Sequence, residues 1–258
     1  MVPNHVKRRS PAEPGSIPAV LNIFESEVRF YREIAPVVGV RVPACYESEV
    51  TAEGTLLVLE DLSDWVPGAE PVAGAKALRD LHDRWIGRAH LEWPWLRPLE
   101  AGADLVAALF DRTWLRLAAR SDLSAPVREA GERLVGHVLD AEGHVARAGE
   151  LTLAHGDASA QNLRTAPDGV VAFLDWEDVS AAPGALDLAW FLLSSVEPER
   201  WSEAVDAYGT SQGLAEAMPS TMVQGYLTMA DYPEGSEPAA GWNARLESAA
   251  ELLARGRV

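Results

Sequence analysis

The segment "LTLAHGDASAQNLR", residues 151–164, constrains this chain more than any other. It sets His155, Gly156 and Asp157 at the end of a short apolar run, with Asn162 following closely. The next stretches, "NLRT" and "VVAFLDW", flank "APDG", a good turn sequence, so they read as a hairpin. A hairpin returns its second strand beside its first, which brings Asp175 within reach of Asn162. One amide oxygen and one carboxylate then converge on a point. Hard oxygen ligands that leave gaps for water and phosphate oxygens are what magnesium accepts. Asp157 is left free to hold an acceptor hydroxyl. A His-Gly-Asp taken alone reads as a tight polar turn. The functional reading rests on the series Asp157, Asn162 and Asp175 taken together.

Around this series the pattern is mostly helical. Residues 3–18 are rich in proline and polar side chains and read as a loop. Val20, Ile23, Phe24, Glu27, Phe30, Tyr31 and Ile34 fall near one stripe, which predicts a helix over 18–34. A short strand is expected at 44–47, and "TLLVLE" at 55–60 reads as a buried strand. Val72, Ala75, Leu78, Leu81 and Trp85 recur at helical spacing. "ADLVAALFDRTWLRLAAR" predicts a further amphipathic helix, and "APVREAGERLVGHVLDAEGHVARA" one more. Beyond the hairpin, the chain from "GALDLAWFLLSSV" to its end reads as mainly helical. The order is that of an α+β chain with a small N-terminal lobe, residues 1–62, and a large, mainly helical C-terminal lobe, residues 63–258.

Composition narrows the function classes. With 258 residues there is room for one large domain or two small lobes sharing an interface. No apolar run reaches the roughly 18 residues of a membrane span. The N-terminus is basic but lacks the apolar segment of a secretory signal. Cys45 is the only cysteine, which excludes an intramolecular disulfide and a cysteine metal cluster and points to the cytoplasm. A formal charge of −17 repels nucleic acid and anionic lipid, so neither is expected as a partner. Solubility accounts for that charge more simply than attraction of a cationic substrate does. Among 22 basic residues, lysine stands only at Lys7 and Lys76, which leaves few candidates for lysine-specific work. Trp85, Trp93, Trp95 and Trp114 read as core packing in preference to a substrate pocket or a cation cage.

Protein kinases carry H-R-D-x-x-x-x-N, whose Asp takes the substrate hydroxyl proton and whose Asn holds magnesium together with a later Asp. "HGDASAQN" reproduces the D-x-x-x-x-N spacing, and Asp175 supplies the later carboxylate. Glycine in place of arginine points to relatives that phosphorylate small molecules. The chain resembles the aminoglycoside phosphotransferase and choline kinase-like superfamily, with its protein kinase-like two-lobe fold. Within it, "EVRFYREIAP", "VPACYESE", "LLVLEDL", "LRDLHDRW" and "FLDWEDVSAAPGALDLAWFL" are similar to landmarks of the ecdysteroid kinase-like branch and its bacterial cousins. The resemblance runs from Lys7 onward.

The resemblance implies an ATP- or GTP-dependent, Mg2+-dependent kinase acting on a hydroxyl of a small molecule such as an antibiotic, an amino alcohol, a sugar or a steroid-like alcohol. Asp157 would be the catalytic base, and Asn162 and Asp175 the metal ligands. His155 would brace the loop, and Asp187 would tie a helix start back to it. Glu60, Asp61 and Leu62 would form the segment that meets the nucleotide base. Lys7 would hold phosphates and pair with Glu27. A lysine so near the N-terminus is usually a solvated tail charge, but its distance before Glu27 and the rarity of lysine favour the functional reading of Lys7. Glu27 reads equally well as one exposed acid among Glu25, Glu27 and Glu33.

Relatives of this kind carry two strands joined by a phosphate-covering loop ahead of their lysine. Six residues precede Lys7, too few for two strands and a turn. The expectation is a truncated β lobe without its first hairpin and glycine-rich loop, either because the true start lies upstream of this sequence or because the protein lacks that hairpin, with an open sheet edge that invites a homodimer. An alternative follows: a catalytically weak or inactive kinase-fold protein that serves as a ligand- or partner-binding module. A hydrolase using His155 and Asp157 is a more distant reading, since no serine or cysteine nucleophile motif accompanies the pair.

Overall fold

The computed structural model of the chain describes residues 4–255. Residues 1–3 and 256–258, which the sequence places in the first loop and the last helical stretch, lie outside the described residues. Strand β1 (Asn4–Arg9) opens the fold and is followed by helices α1 (Ile17–Val20) and α2 (Ile23–Arg29). Strands β2 (Cys45–Thr51) and β3 (Gly54–Glu60) complete an antiparallel sheet in the order β1-β3-β2. The central strand β3 turns Leu57 and Leu59 inward.

β1 corrects the loop expected over residues 3–18. "NHVKRR" has no apolar alternation to announce a strand. Its backbone carries it, pairing with β3 from Asn4↔Glu60 to Arg9↔Thr55 without a shift. Its half-buried side chains are charged, namely Lys7 and Arg9. At the far end, a Cβ on residue 54 would lie 1.9 Å from the Arg9 carbonyl oxygen, so Gly54 is needed for β1 to close on β3. β2 also runs further than the expected 44–47, with an irregularity between Cys45 and Glu47.

The single helix expected over 18–34 is three pieces. Asn22 takes a left-handed conformation, φ +53°, which asparagine tolerates better than most side chains, and this separates α1 from α2. After α2 the chain forms a π-helical turn, Phe30–Ile34, where the Ala35 N–H reaches back to the Phe30 carbonyl at 2.9 Å. Glu27, Phe30, Tyr31 and Ile34 are buried along this segment. Phe30 stacks on Trp176, ring centroids 4.0 Å apart, and fastens α2 to the turn that follows Asp175.

The rest is the helical lobe. After β4 (Val66–Pro67) come α3 (Pro71–Trp85), α4 (Ala89–Glu92), α5 (Ala103–Leu117), α6 (Ala125–Leu134) and α7 (Val138–Val145). The single helix expected over 125–148 is broken into α6 and α7, with Gly136 at φ +72° between them. Four short strands follow: β5 (Leu151–Ala154), β6 (Leu163–Thr165), β7 (Val171–Phe173) and β8 (Ser180–Pro183). β6 and β7 form the expected hairpin, with β4 added on its outer side. β5 pairs antiparallel with β8, a partnership that short apolar runs did not announce. The chain ends in α8 (Gly184–Ser195), α9 (Trp201–Tyr208), α10 (Leu214–Ala230) and α11 (Glu237–Arg255).

α8 is apolar around most of its circumference because α3, α10 and α11 all pack on it. Trp85, Trp93 and Trp114 are buried in the same lobe, and Trp95 donates to Glu33 at 2.8 Å; all four serve packing. No helix among the described residues is long and apolar enough to cross a membrane.

Candidate active site

The loop between β5 and β6 is held from below by one buried acid. Asp187, on the first turn of α8, accepts the His155 backbone N–H on Oδ2 at 2.6 Å and the Gly156 N–H on Oδ1 at 2.9 Å. His82 of α3 donates its Nε2–H to Oδ2 at 3.1 Å, and its Nδ1 pairs with the Tyr208 hydroxyl at 2.8 Å. Burial pushes the Asp187 carboxyl up. The His82 bond and charge, His155 and the Gly156 N–H outweigh it and hold the group below the ordinary carboxylate range.

Gly156 has φ +87°, and a Cβ there would lie 2.3 Å from the Asp178 carbonyl oxygen. Only glycine lets the loop cross so close to the segment after Asp175. His155 is fully buried. Its Nε2 donates to the Leu174 carbonyl at 2.8 Å, and its Nδ1 accepts the Asp157 N–H at 3.2 Å. These contacts set the ring between the two loops that carry Asp157 and Asp175.

Asp157 is clamped on both carboxylate oxygens. Trp190 of α8 donates its indole N–H to Oδ1 at 2.6 Å, and Asn162 donates its amide N–H to Oδ2 at 2.8 Å. The same Asn162 nitrogen reaches the Asp157 carbonyl at 3.0 Å. Both contacts use the amide nitrogen, which leaves the Asn162 oxygen to face elsewhere.

Beside this loop lies a cleft of about 320 Å3 between the sheet and the hairpin. Its walls include Lys7, Glu27, Tyr31, Glu60, Asp61, Leu62, Asn162 and Asp175. Asp157 is not among the lining residues and connects to the cleft through Asn162. Lys7 Nζ sits at its centre of charge, 2.6 Å from Asp175 Oδ1, 2.7 Å from Glu27 Oε2 and 3.5 Å from Glu177 Oε2. Burial lowers the Lys7 ammonium, but Glu27 and Asp175 more than compensate and leave it raised. Glu27 is only 2% exposed, and its Oε1 has no hydrogen-bond partner. Burial pushes its carboxyl up to about 7 against the pull of Lys7.

Asp175 adopts φ +59°, a left-handed turn that points the chain from β7 into the 176–178 turn. Single ligand oxygens of Glu27, Asp175 and Glu177 lie within 4.8 Å of one another. These carboxylates are hard donors of the kind a divalent cation such as Mg2+ accepts, and Asn162 lines the same cleft as Glu27 and Asp175. Glu60 and Asp61 are engaged through their side chains. Arg41 grips both Glu60 oxygens at 2.6 Å, and Asp61 Oδ1 accepts the Ser63 N–H at 2.9 Å.

Several residues of this arrangement escaped the sequence reading. Glu177 and Arg9 pair beside Lys7, and Arg97 holds Asp178 at 3.2 Å. Glu177 had a signal, a second carboxylate in "DWED". Trp190 follows Asp187 by one helical turn, a spacing that puts both on one side of α8. His82 lies in "LRDLHDRW", one of the stretches that carry the resemblance, but nothing in that stretch announces a role for the histidine itself.

The sheet that carries Lys7, the helix that carries Glu27 and the helical lobe with its Asp157 loop make up a kinase-like two-lobe fold of the kind used by small-molecule phosphotransferases. Residues 14–222 match the phosphotransferase enzyme family, and the chain belongs to that family. Solved structures of similar fold include aminoglycoside phosphotransferase APH(3'')-Id from Streptomyces rimosus in complex with ADP and streptomycin. It is 18% identical, with a TM-score of 0.59 over 86% of this chain and 85% of that one. The choline kinase LicA from Streptococcus pneumoniae is 17% identical, with a TM-score of 0.55 over 98% and 86% of the two chains. An ethanolamine kinase from Plasmodium vivax is 15% identical, with a TM-score of 0.55 over 99% and 77%. No curated protein matches the chain significantly.

Proposed function

We propose that this protein transfers the γ-phosphoryl group of ATP or GTP to a hydroxyl of a small molecule, with Mg2+ as cofactor. The observation that carries this reading is the clamped Asp157 carboxylate. It is held by Asn162, which also lines the cleft containing Lys7, Glu27 and Asp175.

In this reading Lys7, kept in place by Glu27, holds the nucleotide phosphates. The backbone of residues 60–62 borders the base. Asn162 and Asp175, with Glu177 beside them, are the residues that would hold the metal, which when bound neutralises charge on the phosphate oxygens. Asp157 orients the acceptor hydroxyl and receives its proton. The hydroxyl oxygen forms a bond to the γ-phosphorus as the bond to the bridging oxygen breaks, and that oxygen leaves with the nucleoside diphosphate. The protein positions and neutralises and does little covalent work, which suits a site built from fixed charges.

The division into a nucleotide-holding lobe (1–62) and an acceptor-holding lobe (63–258) follows from these roles. So does a cytoplasmic setting, where ATP and Mg2+ are at hand. The ecdysteroid kinase-like branch rests on the motifs alone. Streptomycin, choline and ethanolamine, drawn from the relatives, form the first acceptor panel.

The test is turnover of MgATP and MgGTP across that panel, by wild type and Asp157→Ala. Asp157→Ala should keep its fold and lose activity by about 10²-fold or more. Undiminished activity in the variant would sink the mechanism. A wild type that binds a small molecule without turnover would turn the reading into that of a binding module.

A further inference from the structure

We propose that Trp190 is a positioning residue for Asp157, fixing through its indole N–H the carboxylate that receives the acceptor proton. The inference rests on the phosphotransferase reading above. The contact is direct, Trp190 Nε1 to Asp157 Oδ1 at 2.6 Å, the short distance of a charge-assisted hydrogen bond. Trp190 is 8% exposed, so water competes little for its N–H. Its ring is braced on another side by Trp242 of α11, centroids 6.0 Å apart and planes 24° from parallel.

The placement follows from the helix. Asp187 and Trp190 are one turn apart on α8. Asp187 grips the loop backbone at His155 and Gly156, and Trp190 grips the side chain of the next residue. A single rigid helix therefore fixes both where the loop runs and where its carboxylate points. Asn162 holds the other oxygen at 2.8 Å, so each carboxylate oxygen has its own donor and the group is fixed at both ends. Each carboxylate oxygen has more than one lone pair, so a donor on each still leaves a site for the acceptor hydroxyl. The indole is a donor only and takes no proton itself, so it acts through Asp157. Misplacing a reacting group by about 1 Å costs on the order of 10²-fold in rate, which is the scale such a clamp controls.

Trp190→Phe removes the donor and keeps a ring against Trp242. The expected result is at least a tenfold fall in kcat, with KM for nucleotide and acceptor within about twofold of wild type. In an Asp157→Ala background the same substitution should cause no further fall, because two residues acting as one unit are not additive. A readout free of activity accompanies this. The chain has nine tryptophans, and the indole N–H resonance missing from Trp190→Phe identifies Trp190 in a 15N–1H spectrum. That resonance should move upfield in Asp157→Ala as the hydrogen bond is lost. An unmoved resonance overturns the proposal, as does unchanged kcat in Trp190→Phe when wild type is active. A resonance that moves in a wild type with no turnover overturns the phosphotransferase reading, and the positioning role with it, while the hydrogen bond stands.

Discussion

Lys7 and Asp175 are 168 residues apart in the chain, and the Lys7 ammonium donates to the Asp175 carboxylate at 2.6 Å. Glu27 closes on the same ammonium from α2 at 2.7 Å. The first strand, the helix behind it and the end of the β6–β7 hairpin are thus joined through one cation. Lys7→Met leaves Glu27 buried without its counter-charge; the carboxyl, already raised to about 7, then takes up a proton, and a loss on the order of 1–3 kcal/mol is expected for the broken hydrogen bonds. Replacing both, as Lys7→Met with Glu27→Leu, should recover the part of that loss that comes from the buried Glu27 carboxyl, while Asp175 still goes without the Lys7 hydrogen bond. Urea denaturation of wild type, both single variants and the double variant measures the coupling. Simple additivity of the two single losses would show that the pair is not coupled in the folded protein.

Gly156→Ala meets two obstacles at once. The residue sits at φ +87°, and the new Cβ would lie 2.3 Å from a backbone oxygen of Asp178 that cannot swing aside. The loop must move away from the segment after Asp175, and Asp157 moves with it. A loss of about 2 kcal/mol or more in stability is expected, together with a fall in turnover larger than the stability change alone explains. Denaturation and kinetics on one preparation check both. Wild-type kinetics in a destabilised variant would separate the glycine from the chemistry.

The site was legible where chemistry forces residue type and spacing together. Asp157, Asn162 and Asp175 stand on one loop and one hairpin, and local turn geometry largely fixes their approach. The link from Asp187 to the same loop crosses a longer stretch and came through resemblance. β1 was not legible because backbone pairing holds it, and its half-buried residues are charged. The break at Asn22 and the π turn at Phe30–Ile34 were hidden because the apolar stripe continues across both. Trp190 escaped because a tryptophan in an apolar helix reads as core. Only the tertiary fold shows its N–H aimed at a carboxylate.

Asp175 offers a binding test that does not depend on finding the acceptor. A ligand at 100 times its Kd stabilises a folded protein by about 2.7 kcal/mol. MgATP should raise the wild-type melting temperature more than ATP with excess EDTA does. Asp175→Ala should lose the metal-dependent part of that rise, because it removes a carboxylate from the cluster with Glu27 and Glu177. Identical shifts in wild type and variant, with and without Mg2+, would remove Asp175 from the metal ligands.

Asp187 gives the pH dependence with a definite sign. Its folded carboxyl is held below the ordinary range, after burial is overcome by His82, His155 and the Gly156 N–H. In the unfolded chain an aspartate titrates near about 3.9. Between the folded and unfolded values the unfolded chain binds more protons, so stability rises with pH there. The contribution is present in full above about pH 4 and is lost as pH falls through the lower folded value. Asp187→Asn keeps one acceptor but turns an amino group toward either the His155 or the Gly156 N–H, leaving a donor facing a donor. A cost of about 3 kcal/mol at neutral pH is expected. Unfolding free energies of both proteins from pH 3 to 7 should show the wild-type advantage shrinking only at the acid end. An advantage that instead shrinks toward neutral pH would mean that burial, and not the hydrogen bonds, governs this carboxyl.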